Sequence, residues 1–138
     1  MANQNTKSQI GVYGVNFLTP SAVGFLKNVP KIPEVIKNLP GLDHLASSAN
    51  PYGAMTFGAL NLLKGLSNRM KNSRFTRLSE IVGAGFYAVS SVMDLFSIAE
   101  GDYTSAIDFA FNASMAYQLG RNTVENYETH DLLDDLTR

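Results

Sequence analysis

Residues 77–120 read RLSEIVGAGFYAVSSVMDLFSIAEGDYTSAIDFAFNASMAYQLG. Two apolar segments rich in small residues flank an acidic turn, Glu100-Gly101-Asp102, and no proline interrupts either arm. Each arm is long enough for about four to five helical turns. A loop this short makes consecutive helices antiparallel neighbours. The stretch predicts a helical hairpin over 75–122, and the rest of the chain is read outward from it.

Upstream, Asn50-Pro51 pairs an N-cap with a proline at the first helical position. It opens a helix expected over 50–72, with Met55, Ala59, Leu62, Leu63, Leu66 and Met70 on one face. Asn61, Lys64, Asn68 and Lys71 lie on another, so this helix is amphipathic. Between 19 and 49, Pro20, Pro30, Pro33 and Pro40 punctuate the chain into short helices, the first opening at Thr19-Pro20. Residues 1–18 show no clear period and read as an N-terminal arm. Downstream, residues 123–138 form an acidic tail in which Thr129 caps a last short helix, HDLLDDLTR. No β-branched alternation marks a strand. The expectation is one all-α domain over 1–138.

The 138 residues suffice for a single core. A hydrophobic fraction of 45% with 17% charged residues describes a folded chain. The absence of cysteine excludes disulfides, thiolate nucleophiles and cysteine-ligated metals. The start, MANQNTKSQ, lacks the apolar core of a signal peptide. A cytoplasmic protein, or one peripheral to a larger particle, is therefore expected. The net charge of -1 hides an uneven layout. Residues 1–80 carry nine cations against three carboxylates, and residues 81–138 carry two cations against nine carboxylates.

Whether the hairpin crosses a membrane turns on its faces. Insertion is favoured by the run Ile81–Ala99, which only Asp94 interrupts, and by cations at the entry with an acidic loop at the tip. Against it, Leu78, Val82, Phe86, Val89, Met93 and Phe96 make one face of the first arm, and Glu80, Gly83, Tyr87, Ser90, Asp94 and Ser97 the opposite one. The second arm gathers Thr104, Ser105, Asp108, Asn112 and Asn122 on one side. A polar stripe opposite an apolar face is the pattern of a helix on the surface of a core, with its polar stripe in water. The second apolar run, Phe109–Leu119, is shorter than the ~17 residues of a minimal span. A soluble or peripheral protein is expected, with insertion as the alternative.

No constellation points to catalysis. Asp94 and Asp108 each lie seven residues from Gly101 and would share a level in the hairpin, but nothing at helical spacing completes a ligand set. Both read as surface residues. His130, Asp131, Asp134 and Asp135 read as a solvated acidic face, and His44 as an ordinary helix-end histidine. Gly53 and Gly58 have the spacing of a phosphate loop, but Ala59 and Leu60 stand where its lysine and hydroxyl belong. No catalytic, cofactor or metal site is assigned.

Interaction residues are assigned instead. Lys64, Arg69, Lys71, Arg74 and Arg77 form a basic cluster suited to an acidic protein or an anionic membrane surface. The acidic balance of the whole chain weighs against nucleic acid. Leu132, Leu133 and Leu136 give the tail an apolar stripe of the kind that docks in a groove, and residues 123–138 are expected to reach another copy or a partner. The function expected is that of a non-catalytic helical structural or assembly protein, one subunit of a virion or membrane-attached machine. It would bind itself or other subunits. The alternative is a membrane-inserting or pore-forming hairpin.

Overall fold

The computed structural model describes residues 2–40, 42–47 and 51–137, and every regular element among them is helical. In chain order these are α1 (Ala2–Lys27), α2 (Glu34–Lys37), α3 (Leu42–Ser47), α4 (Pro51–Leu66), α5 (Asn68–Lys71), α6 (Arg74–Ala99), α7 (Ser105–Asn126) and α8 (Leu132–Thr137). The Asn50 cap and the His44 side chain expected from sequence lie outside the described residues.

The hairpin is α6 and α7, packed along their lengths. Its turn depends on Gly101, whose φ of 106° is a left-handed conformation that costs glycine nothing. Asp102 closes the turn. Its amide donates to the Ser97 carbonyl at 3.0 Å, and its carboxylate accepts from Thr104 Oγ1 at 2.6 Å and Ser105 Oγ at 3.1 Å. Half of the acidic loop is thus turn chemistry.

Three boundaries depart from the sequence reading. The expected arm over 1–18 is helical from Ala2, and α1 runs unbroken through Thr19-Pro20. Proline inside a helix loses the bond to the carbonyl four residues back, yet Pro20 is fully buried, so packing holds what local preference disfavours. The helix expected over 50–72 is split, because Ser67 adopts extended backbone (φ −137°, ψ 120°) between α4 and α5. The last helix is capped by Asp131, not Thr129: its Oδ1 accepts from the Leu133 amide at 3.0 Å.

α1 lies against α3, α4 and α7. Gln9 bonds Asn122 and Asn16 bonds Ser114, so α1 runs antiparallel to α7. Tyr13 of α1, Ala54 of α4, Tyr87 of α6, and Met115 and Leu119 of α7 form a small apolar core. Gly83 lets α6 approach it. A Cβ there would stand 2.5 Å from Phe57 Cζ and 2.9 Å from Leu119 Cδ1.

The polarity of the fold is inverted. Among the described residues the buried side chains are five core hydrophobics and Pro20, against ten that are polar or charged: Gln9, Asn16, Thr76, Arg77, Glu80, Ser91, Ser105, Gln118, Asn122 and Asp135. The expectation that the polar stripe of α6 faces water is therefore corrected. Glu80, Gly83, Tyr87 and Ser91 are buried, while Val82, Phe86, Val89, Met93 and Phe96 are exposed.

Candidate functional site

The inner, polar side of the hairpin is a chain of mostly paired groups, with Asn16 Oδ1, Thr76 Oγ1 and Gln118 Oε1 buried beside it without a hydrogen bond. At its centre Asn122 Oδ1 accepts from Gln9 Nε2 at 2.7 Å and from Gln118 Nε2 at 3.3 Å. Asn122 Nδ2 donates to the Tyr13 hydroxyl at 3.1 Å. One turn along, Asn16 Nδ2 bridges the Val12 carbonyl and Ser114 Oγ. Nearer the tip, Asn112 Nδ2 donates to Asp94 Oδ2 at 2.8 Å, so Asp94 meets an amide. Among the described residues no group of three or more His, Cys, Asp and Glu side chains is placed to hold a metal ion.

Toward the other end Glu80 is 2% exposed and holds two partners. Lys64 Nζ reaches its Oε1 at 2.8 Å and Asn126 Nδ2 its Oε2 at 3.1 Å. Burial makes such a pair costly to break, because the survivor keeps its desolvation without its partner.

Arg77 and Asp135 make the third link. Nε and Nη2 of Arg77 donate to the two carboxylate oxygens at 2.6 and 2.9 Å, a bidentate fork. Arg77 Nη1 also donates to the Asn72 carbonyl at 2.7 Å, and the Tyr127 hydroxyl to Asp135 Oδ2 at 2.7 Å. The Arg77 bonds hold the Asp135 carboxyl well below the usual carboxylate range. A cleft of about 360 Å3 opens beside the fork, lined by Arg74, His130, Asp131 and Asp134.

These pairs sort the interaction residues assigned from sequence. Lys64 and Arg77 turn inward and are spent on Glu80 and Asp135, so they are corrected from surface cations to internal ties. Arg69, Lys71 and Arg74 are exposed. Leu132, Leu133 and Leu136 also face outward, although Asp135 between them latches the tail to its own chain. Of residues 123–138, expected to reach another molecule, those described, up to Thr137, are tied to α6 by that latch. Their leucines are left on its outside.

What sequence reasoning missed is that the apolar face of α6 turns outward. From Ile81 to Ala99 every exposed side chain of α6 is apolar or absent: Val82, Gly85, Phe86, Ala88, Val89, Val92, Met93, Leu95, Phe96 and Ala99. α6 is long and apolar enough to cross a membrane by length and composition, and only 17% of its apolar window is buried. On the neighbouring helices Ile10, Val15, Leu18 and Phe25 of α1, and Met55, Leu62 and Leu63 of α4, are exposed as well. An apolar groove of about 340 Å3 lies between them, with Gly14 and Gly58 in its wall. Single exposed leucines are ordinary on proteins, but a run of apolar side chains as long as that on α6 is not. No protein-family model, curated protein or solved structure matches this chain.

Proposed function

We propose that this chain is a non-catalytic helical structural or assembly protein, a subunit of a larger particle or membrane-attached complex. It works by burying the outward apolar face of α6. The observation that carries this reading is the band from Ile81 to Ala99, where no exposed side chain is polar. Leaving it in water forgoes roughly 25 cal/mol for each Å2 that a partner surface could cover. The inward pairs Lys64–Glu80 and Asp94–Asn112 support the same reading, since they take charge off that face.

Light scattering on the purified full chain in detergent-free buffer tests it. Particles heavier than one chain, or a chain recovered with bound partner or lipid, are expected. Replacing Phe86, Met93 and Phe96 together by serine should abolish that association and leave the helical signal intact, because all three side chains point outward. A monodisperse, partner-free monomer at working concentrations overturns the proposal.

A further inference from the structure

We infer that the surface covering this face is a lipid bilayer, with the α6–α7 hairpin standing in hydrocarbon and its basic end at anionic headgroups; this rests on the proposal above and names its partner. Four observations carry it beyond contact with another protein.

The first is length. Ile81 to Ala99 spans about 28 Å at the α-helical rise, close to the ~30 Å of a bilayer's hydrocarbon core. The second is how polar groups inside that band are handled. Asp94 is half-buried and accepts from Asn112 on the return helix. Ser90 and Ser91 donate back to the Phe86 and Tyr87 carbonyls of their own helix. Hydrocarbon demands this internal satisfaction, whereas water does not.

The third is charge at the two ends. Arg69, Lys71 and Arg74 are exposed where α6 begins, and Glu100 and Asp102 where it ends. Cations on one side, against an acidic loop on the other, set the orientation of a spanning hairpin and suit the negative potential of an anionic leaflet. On the return helix α7 the uncharged run, from Phe109 to Gly120, is shorter than a full span, so its flanking charges must reach the interfaces. Asp108 lies near the acidic tip and Arg121 near the basic end, where long side chains reach the interface. Lys27, which antiparallel α1 carries toward the tip, is paired with Asp43.

The fourth is the breadth of the apolar surface. On α6 it covers about half the circumference at 100° per residue. α1 adds a stretch, Ser8 to Leu26, without a charged residue, and exposes Ile10, Val15, Leu18 and Phe25 from it. A symmetric contact with a second copy would cover one patch and leave the other helices in water. A bilayer covers them together.

The chain contains no tryptophan, so one introduced residue reports alone. Phe96→Trp is suitable because Phe96 is 66% exposed. The full chain carrying it is mixed with vesicles of zwitterionic lipid, with and without anionic lipid, and floated on a gradient. The result expected is co-flotation that anionic lipid speeds and carbonate does not reverse. Blue-shifted emission quenched by brominated acyl chains should accompany it. Adding Val89→Lys should lower the carbonate-resistant fraction about tenfold or more, with helicity unchanged. A soluble homo-oligomer that ignores vesicles, its emission shifted but unquenched, overturns the bilayer and leaves the assembly proposal standing. A soluble monomer with water-exposed emission overturns both.

Discussion

Asp135 shows at the scale of one residue how an acidic tail becomes structure. Its carboxylate accepts two bonds from Arg77 and one from Tyr127, and the Arg77 bonds lower its pKa. A lowered folded-state pKa contributes stability that is complete above the unfolded value of about 3.9, and is lost as pH falls below it toward the folded one. The α8 latch should therefore hold at neutral pH and release only in acid. Hydrogen exchange of the α8 amides across that range is the measurement. Asp135→Asn should speed exchange at neutral pH and flatten the acid limb; an unchanged acid limb in that variant would assign the release to another group. A larger effect belongs to Glu80, which Lys64 and Asn126 both contact inside the bundle. Glu80→Ala strands a half-buried ammonium and should cost about 3 kcal/mol in urea unfolding. A loss below ~1 kcal/mol would mean that Lys64 finds water. Neither pairing was legible beforehand. Lys64 and Arg77 look like ordinary members of a basic cluster, and their partners lie 16 and 58 residues away with no shared period.

Among elements, the hairpin was the legible part, because its turn residues and both apolar runs are local signals. α6 and α7 lie within a few residues of the 75–122 boundary, at Arg74–Ala99 and Ser105–Asn126. α1 was not legible. Gly11, Gly14 and Pro20 argue against a helix, and its support comes from Tyr13 and Asn16 meeting α7 partners about a hundred residues away. The helical wheel of α6 separated its two faces correctly, but a wheel cannot say which face turns inward. Turning the apolar face inward assumes water outside and an apolar core, and the structure reverses it. Gly83 belongs to the same lesson. It lies on the buried stripe because α6 must come close to Phe57 and Leu119. Gly83→Ala gains up to about 1 kcal/mol of helix propensity but overpacks this contact, at roughly 1–3 kcal/mol. Net destabilisation is expected, with partial recovery when Phe57→Leu is added. A stabilised single variant would show that the Phe57 ring swings aside freely.

For the whole molecule the split of charge between the two halves invites a model in which copies join acid to base. Part of that attraction is already used internally, since Arg77 of the basic half holds Asp135 of the acidic one. Besides Lys7 and Lys31, the basic half leaves Arg69, Lys71 and Arg74 exposed, next to the start of α6. Charge and apolar surface should then act in sequence. Exposed cations are screened over about 8 Å at physiological salt and less at higher salt, so they govern the rate of first contact with an anionic surface. Burial of Val82, Phe86, Val89 and Phe96 is not screened, and salting-out ions strengthen it. Raising salt should slow binding of the full chain to anionic vesicles while leaving the final bound fraction nearly unchanged. Arg69→Gln with Lys71→Gln and Arg74→Gln should slow it in the same way at low salt. Stopped-flow mixing followed by flotation separates the two quantities. A final bound fraction that falls in step with the rate would place the charges, rather than the face of α6, in command of the association.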